Sequence, residues 1–255
     1  MNNIELGSTS RNINILSLIV TFVALLGIFN LSFTTFNIIV TVISFYIFNI
    51  LGNWMTLHRY YSHNSFEFKY SIIKWFFTLL AVLSGRGSPL GWVYLHRKHH
   101  AYSDTEKDPH SPKYLGYKIF GFGHYKKQEK ESMQIFMVKD LMTKEQLFIH
   151  KWYMIIVLSF VTLLACINIE ILYFAWVLPV FLVQLSQTNF NYFGHTTGYR
   201  NFETRDNSKN NIWLFPFILG EAWHNNHHHH PKNVSTTVKR FEIDPIYWVI
   251  SLIKK

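Results

Sequence analysis

A single cysteine, Cys166, among 255 residues leaves no thiolate pair to build with. That excludes an internal disulfide, a cysteine-type structural zinc site and an iron–sulfur cluster ligated by this chain alone. Acidic residues are also few, 15 against 24 lysines and arginines, for a net charge of +9. The surplus does not point to nucleic acid, because the basic residues sit beside long apolar runs and no nucleic-acid motif accompanies them. Contact with anionic lipid headgroups or a phosphate-bearing substrate accounts for that placement. Internal repeats, linkers and haem- or dinucleotide-binding motifs are missing too, so residues 1–255 read as one integral-membrane domain. The polar start lacks the basic stretch and small-residue cleavage site of a signal peptide, and the first apolar run is expected to be a retained span.

Apolar length is what the sequence has in abundance. Stretches 13–31, 36–54, 152–169 and 171–190 each approach the roughly 20 apolar residues that cross a bilayer as helix. Very short turns, near 30–35 and 168–170, join them into two pairs. Pro179 lies inside the fourth run, where a kink is tolerated if neighbouring helices satisfy the freed carbonyl. Apart from Arg11, every lysine and arginine falls in 53–151 or 194–255, so the positive-inside tendency puts both basic regions and the N-terminus in the cytoplasm. The expected fold is an all-α membrane protein, with four transmembrane helices in two hairpins, a cytoplasmic helical cap and an interfacial helix. That interfacial helix is the fifth apolar stretch, Ser71–Leu83, which would split the histidine clusters between two sides if it crossed once. It reads as interfacial or buried, with Lys69, Lys74 and Arg86 at its margins suiting the interface, or alternatively as a re-entrant hairpin.

Histidine is the second surplus, 14 in all. Nine of them stand at metal-ligand spacing: His58-x4-His63, His96-x2-His99-His100, a lone His195, and His224-x2-His227-His228. Positions three or four apart share a helix face, so His96 with His100, and His224 with His228, can point at one centre. Adjacent histidines diverge by about 100° and suit two neighbouring metals. The x4 spacing is too long for one α-helical face and suits a helix end. Imidazole suits iron, copper and zinc; zinc has no redox chemistry, and a dry all-nitrogen site near lipid favours two irons. His227 to His230 alone looks like an affinity tag, but it is internal. His110, His124, His150, His229 and His230 fit no cluster and read as loop or surface residues.

Four segments carry a resemblance to a known family. They are His58-Arg59-Tyr60-Tyr61-Ser62-His63; Trp92-Val93-Tyr94-Leu95-His96-Arg97-Lys98-His99-His100 with Ser103-Asp104-Thr105-Glu106-Lys107-Asp108-Pro109-His110 after it; 198–211, reading GYRNFETRDNSKNN; and Gly220-Glu221-Ala222-Trp223-His224-Asn225-Asn226-His227-His228. Together they resemble a membrane fatty acid desaturase of the stearoyl-CoA (acyl-CoA Δ9) type, over about residues 38–253. The resemblance implies one iron held by His58, His63, His96, His100 and His227, and a second held by His99, His195, His224 and His228 with a water fixed by Asn191. Asn191 and His195, four apart, share a helical face. The resemblance also implies an acyl tunnel lined by Trp92, with Trp54 a further candidate. Tyr94 replaces an arginine that contacts the headgroup in animal members, which leaves acyl-CoA, acyl-carrier protein and acyl-lipid substrates all open.

Carboxylates beside the ligands, Asp104, Glu106, Asp108 and Glu221, are candidates to orient the imidazoles by accepting their second N–H. Arg200, Arg205 and Lys209 could hold a phosphate-bearing headgroup or simply form a basic membrane-facing surface. The expected reaction is O2-dependent insertion of a cis double bond into a saturated acyl chain. A hydroxylase or monooxygenase with similar histidine boxes is the alternative, and a metal transporter or sensor is opposed by the near absence of ionisable groups in the spans. Electrons must come from a separate ferredoxin, or cytochrome b5 with its reductase, with Lys98, Lys126 and Lys127 candidates to steer an acidic donor. The compact cap points to the bacterial inner membrane rather than the endoplasmic reticulum.

Overall fold

The computed structural model describes residues 6–120 and 135–255, and within them the chain is helical, with only isolated β-bridges such as Tyr199–Asn210. In chain order, α1 (Leu6–Asn30) and α2 (Thr35–Ser62) form a hairpin, and α3 (Ser71–Leu83) and α4 (Pro89–Tyr102) a shorter one. α5 (Lys144–Ile167) and α6 (Ile169–Thr196) form a third, and α7 (His224–His229) and α8 (Pro245–Ile253) close the chain. Side-chain caps start several of these helices. Thr34, Ser88 and Thr143 accept from the N–H groups of Asn37, Gly91 and Gln146, satisfying donors that the first turn leaves orphaned. Asn168 alone separates α5 from α6, and its Oδ1 accepts from both Glu170 and Ile171.

α1, α2, α5 and α6 are long and apolar enough to cross a bilayer. Their outward faces carry Phe22, Phe29, Phe36, Ile155 and Leu163, each more than half exposed, as a lipid-facing surface requires. α6 is the central member, with 61% of its apolar window buried against 17% for α5. α2 and α6 each run 28 residues, more than the roughly 20 that cross the hydrocarbon core as helix. The apolar runs end at Trp54 and Phe190, but the helices continue for two more turns because their polar residues turn into the cap. Those extra turns carry His58 and the Asn191–His195 pair.

The third and fourth helices pack on the spans through their connecting turn. α3 lies along the second half of α2, closely enough that a Cβ on Gly52 would stand 2.8 Å from the Leu80 carbonyl. The chain then turns through residues 84–88, all buried, and returns as α4. Three long helices hold this tip: Trp176 Nε1 donates to Leu83 O at 2.9 Å, Tyr153 Oη accepts from Gly87 N at 3.1 Å, and Ile13 packs on Gly87. These contacts bury the turn between α3 and α4 among the long helices, while Ile72, Phe76 and Leu79 of α3 stay exposed. Two residues differ from expectation for that reason: Arg86 is buried in the tip rather than at an interface, and His150 is buried with Nδ1 2.6 Å from Ser88 Oγ rather than on the surface.

α6 also absorbs its proline. Pro179 offers no N–H and its ring would crowd the carbonyl of Ala175, and the turn just before it, Tyr173–Val177, is widened to a π-type winding.

Candidate metal centre

The first histidine pair is set by an unusual coil. From Ile47 to Ser62, α2 is wound as a π-helix, and the backbone N–H of His63 bonds to His58 O at 3.2 Å, five residues back. The Thr56 and Ser62 hydroxyls reach the Leu51 and Leu57 carbonyls over the same interval. In that winding residues five apart align, so His58 and His63 face the same point with ring centroids 4.8 Å apart. The expected helix end is there, with His63 as the residue that closes α2, and the π winding leading up to it is the addition. α4 supplies His96, His99 and His100, α6 supplies His195, and α7 supplies His224, His227 and His228.

These elements gather the nine rings into two groups. The ring nitrogens of His58, His63, His96, His100 and His227 lie within 4.8 Å of one another, and so do those of His99, His195, His224 and His228. Neighbours in sequence divide between the groups: the His99 and His100 rings are inclined at 76° and those of His227 and His228 at 83°. Inward Nε2 atoms approach closely, at 2.8 Å for His63–His96, 3.0 Å for His58–His227, 3.1 Å for His227–His100 and 2.9 Å for His224–His195. Two nitrogens bound at right angles to one ion, each about 2.1 Å from it, would stand about 3 Å apart. The donor set thus fits nitrogen-ligated transition metals, one per group.

Carboxylates set the tautomers. Asp108 accepts from His99 Nδ1 at 3.0 Å, Asp104 from His195 Nδ1 at 3.0 Å and Asp206 from His228 Nδ1 at 2.7 Å, while Glu221 Oε2 stands 2.9 Å from His58 Nδ1. With the proton on Nδ1, the inward Nε2 of each ring presents a lone pair. Burial pushes these acids up, but the facing imidazoles outweigh it: Asp104, Asp108 and Asp206 sit below the usual carboxylate range, and Glu221, facing both His58 and Arg59, comes down to about 2.

Burial first, then repulsion from neighbouring imidazoles, holds His63, His96, His100, His224 and His227 well below the ordinary histidine range, and brings His228 to about 4 despite Asp206. Values lowered by folding mean that the unfolded chain binds more protons. This share of stability is present above the unfolded value of about 6.5 and is lost as pH falls through the folded values. The unfolding midpoint of metal-free protein in detergent is therefore expected to hold steady from about pH 8 to 7 and to drop progressively below about 6.5. A profile flat to about pH 4 would show that these imidazoles are not held neutral by the fold.

Aromatic rings close the site from below. Trp92 stacks on His96 at 5.0 Å, and Trp54 stands edge-on to His58 at 5.5 Å and to Phe190 at 4.7 Å. Phe190 in turn meets His224 at 4.5 Å, so one apolar floor spans both groups. Asn191 is buried one turn before His195 on α6.

Several residues lie elsewhere than the sequence reading put them. His110 is buried and stacks on His99 at 4.2 Å, and its backbone N–H donates to Asp108, so it is no surface residue; its position directly after Asp108-Pro109 was the available signal. Asp206 went unnoticed within 198–211, where nothing in spacing marks it as the partner of His228. His229 and His230 are exposed as expected, and Glu106 is exposed while Asp104 and Asp108 are buried. Lys98 is buried in α4 rather than offered to a partner, and Arg200 folds back onto Phe202 and Thr204 of its own loop. His124, Lys126 and Lys127 fall outside the described residues.

Comparison with known proteins bears on this geometry. The family model for fatty acid desaturase matches residues 34–250. Among curated relatives, the hex-5-enoyl-[acyl-carrier protein] acetylenase of Moorena producens (strain JHB) is 29% identical over 254 residues, covering 91% of this chain and 77% of the relative. Delta-9 acyl-lipid desaturase 1 of Arabidopsis thaliana is 28% identical, covering 93% and 78%, and the sn-2 palmitoyl-lipid 9-desaturase of Nostoc sp. (strain 36) is 27% identical, covering 82% and 75%. The extent of the family match decides membership: this chain belongs to the fatty acid desaturases and is an integral-membrane fatty acyl desaturase.

Proposed function

We propose that the chain introduces a cis double bond into a saturated acyl chain carried on a membrane lipid, at a pair of irons and with O2 as oxidant. His58, His63, His96, His100 and His227 hold one iron; His99, His195, His224 and His228 hold the other, with Asn191 positioned to orient a water there. The observation that carries this reading is the convergence of nine imidazoles into two adjacent all-nitrogen groups. Bound iron supplies the O2-dependent removal of hydrogen from two neighbouring methylenes.

The chain's own residues do the rest. Asp104, Asp108, Asp206 and Glu221 fix ring orientation by holding the Nδ1 protons. Burial of the rings keeps bulk water away, and the floor of Trp54, Trp92 and Phe190 gives methylenes an apolar surface against which to lie in register. The lone Cys166 leaves electron supply to a separate ferredoxin, or to cytochrome b5 with its reductase. The basic regions share an end of the helices with the histidines, which supports a cytoplasmic face for the site under the positive-inside tendency, and a bacterial inner membrane fits the compact cap.

Two observations favour a lipid carrier. Two of the relatives named above are acyl-lipid or palmitoyl-lipid desaturases. Tyr94, at the position of the animal headgroup arginine, is 2% exposed and offers no cation to a CoA phosphate. Expression in a desaturase-deficient host, with new acyl synthesis arrested and lipids analysed by gas chromatography, tests this directly. Double bonds are expected to keep appearing in preformed lipid. Unsaturation confined to newly made chains would point to a CoA or carrier-protein substrate, and hydroxylated chains would identify a hydroxylase instead.

A further inference from the structure

The C-terminal segment contributes no histidine, yet a buried arginine ties it to the centre. Arg59, next in sequence to His58 and 1% exposed, donates Nε to Glu221 Oε1 at 2.7 Å. Its Nη1 reaches Asp244 Oδ2 at 2.7 Å and Val234 O at 2.8 Å, and its Nη2 reaches Asp244 Oδ1 at 3.1 Å. Glu221 turns its other oxygen to His58 Nδ1. Asp244 also accepts from the backbone N–H groups of Thr236 and Tyr247, the latter capping α8, and the Thr236 hydroxyl lies 2.7 Å from Gly220 O. There is no slack in this packing: a Cβ on Gly220 would fall 2.1 Å from Asp244 Oδ1 and 3.0 Å from Arg59 Nη2.

The two histidine groups are supported unequally. Three carboxylates, Asp104, Asp108 and Asp206, back the four-histidine group, and all precede the C-terminal segment. Among the described residues, only Glu221 stands at ion-pair distance from an imidazole of the five-histidine group. Arg59 fixes that one carboxylate by a guanidinium fork whose other side is anchored on Asp244. A planar fork held at both ends has one orientation, and releasing either end frees Glu221 to turn.

We infer that Arg59 and Asp244 are positioning residues for the five-histidine group, so that removing the Asp244 anchor of the fork weakens metal retention there and spares the four-histidine group, whose own carboxylates it does not touch. The inference rests on the two-metal reading above. Loss of a carboxylate that orients a ligating histidine costs about 10- to 100-fold in metal affinity, and here the cost falls on one group alone.

The test uses full-length protein in detergent, loaded with ferrous iron, dialysed, and read by iron per chain and by Mössbauer spectroscopy. Wild type is expected to retain two irons in two environments, and Asp244→Asn about one, in a single surviving environment. Thr236→Val keeps every charge and is expected to lose part of the same environment. Asp206→Asn is expected to lose the opposite one. Two irons retained in Asp244→Asn would overturn the inference and leave the two-metal reading standing. Equal loss from both environments in Asp244→Asn and Thr236→Val would also overturn it, since that is the signature of general unfolding. Wild type holding fewer than two irons would defeat the two-metal reading itself, and the inference with it.

Discussion

Replacing His99 or His224 with alanine is expected to leave the protein in the membrane and to abolish double-bond formation. Each ring sits in the four-histidine group, 2% exposed. His99→Ala also strips Asp108 of its imidazole partner and removes the ring on which His110 stacks. Losing only an orienting carboxylate costs about 10- to 100-fold in metal affinity, so losing the ligand itself should reduce activity by more than about a hundredfold. The measurement is lipid unsaturation in a desaturase-deficient host, with the membrane fraction probed for the protein. His229→Ala is the matched control, because that ring is exposed and, among the described residues, stacks on Phe202 and His230 alone. Normal unsaturation in the His99 or His224 variant would remove those residues from the metal centre.

The second large effect is on stability. Arg59→Met would leave Glu221 and Asp244 buried, close together and without their shared cation. Removing one partner from a buried ion pair costs about 3–5 kcal/mol, because the remaining charge stays desolvated. Two carboxylates lose their partner at once, so the upper part of that range is expected, visible as a lowered denaturation midpoint of the detergent-solubilised protein. The pair Arg59→Met with Asp244→Leu should recover part of the loss, since it removes one of the stranded charges. A single variant as stable as wild type would mean that water reaches this cluster.

Much of this molecule was legible from residue order. The four spans follow from apolar length, and the two-group division of the histidines follows from the family resemblance with the helical spacing of His96, His99, His100, His224, His227 and His228. Three of the four orienting carboxylates were in view because they sit beside ligands in sequence. Asp206 was not, since it meets His228 across a loop whose course no local pattern encodes. The burial of His110 is not legible, because a histidine after a proline in a polar loop has no periodicity to reveal it. The apolar runs of α2 and α6 stop about two turns before the helices do, since hydropathy reports where lipid contact stops and not where hydrogen bonding stops. The Arg59 network was invisible for a related reason: its members, residues 59, 221 and 244, are far apart in the chain, and only the packed cap brings them together.

The broadened coil of α2 has a consequence for anyone altering this protein. Its first two histidines keep a common bearing only while the turn between them carries the additional residue, whereas deleting one residue between Ile47 and Leu57 should swing His58 and His63 together by roughly a quarter turn relative to the lipid-facing part of the same rod. Transplanting the six letters from His58 to His63 into an ordinary helix would likewise move the spacing and leave the geometry behind.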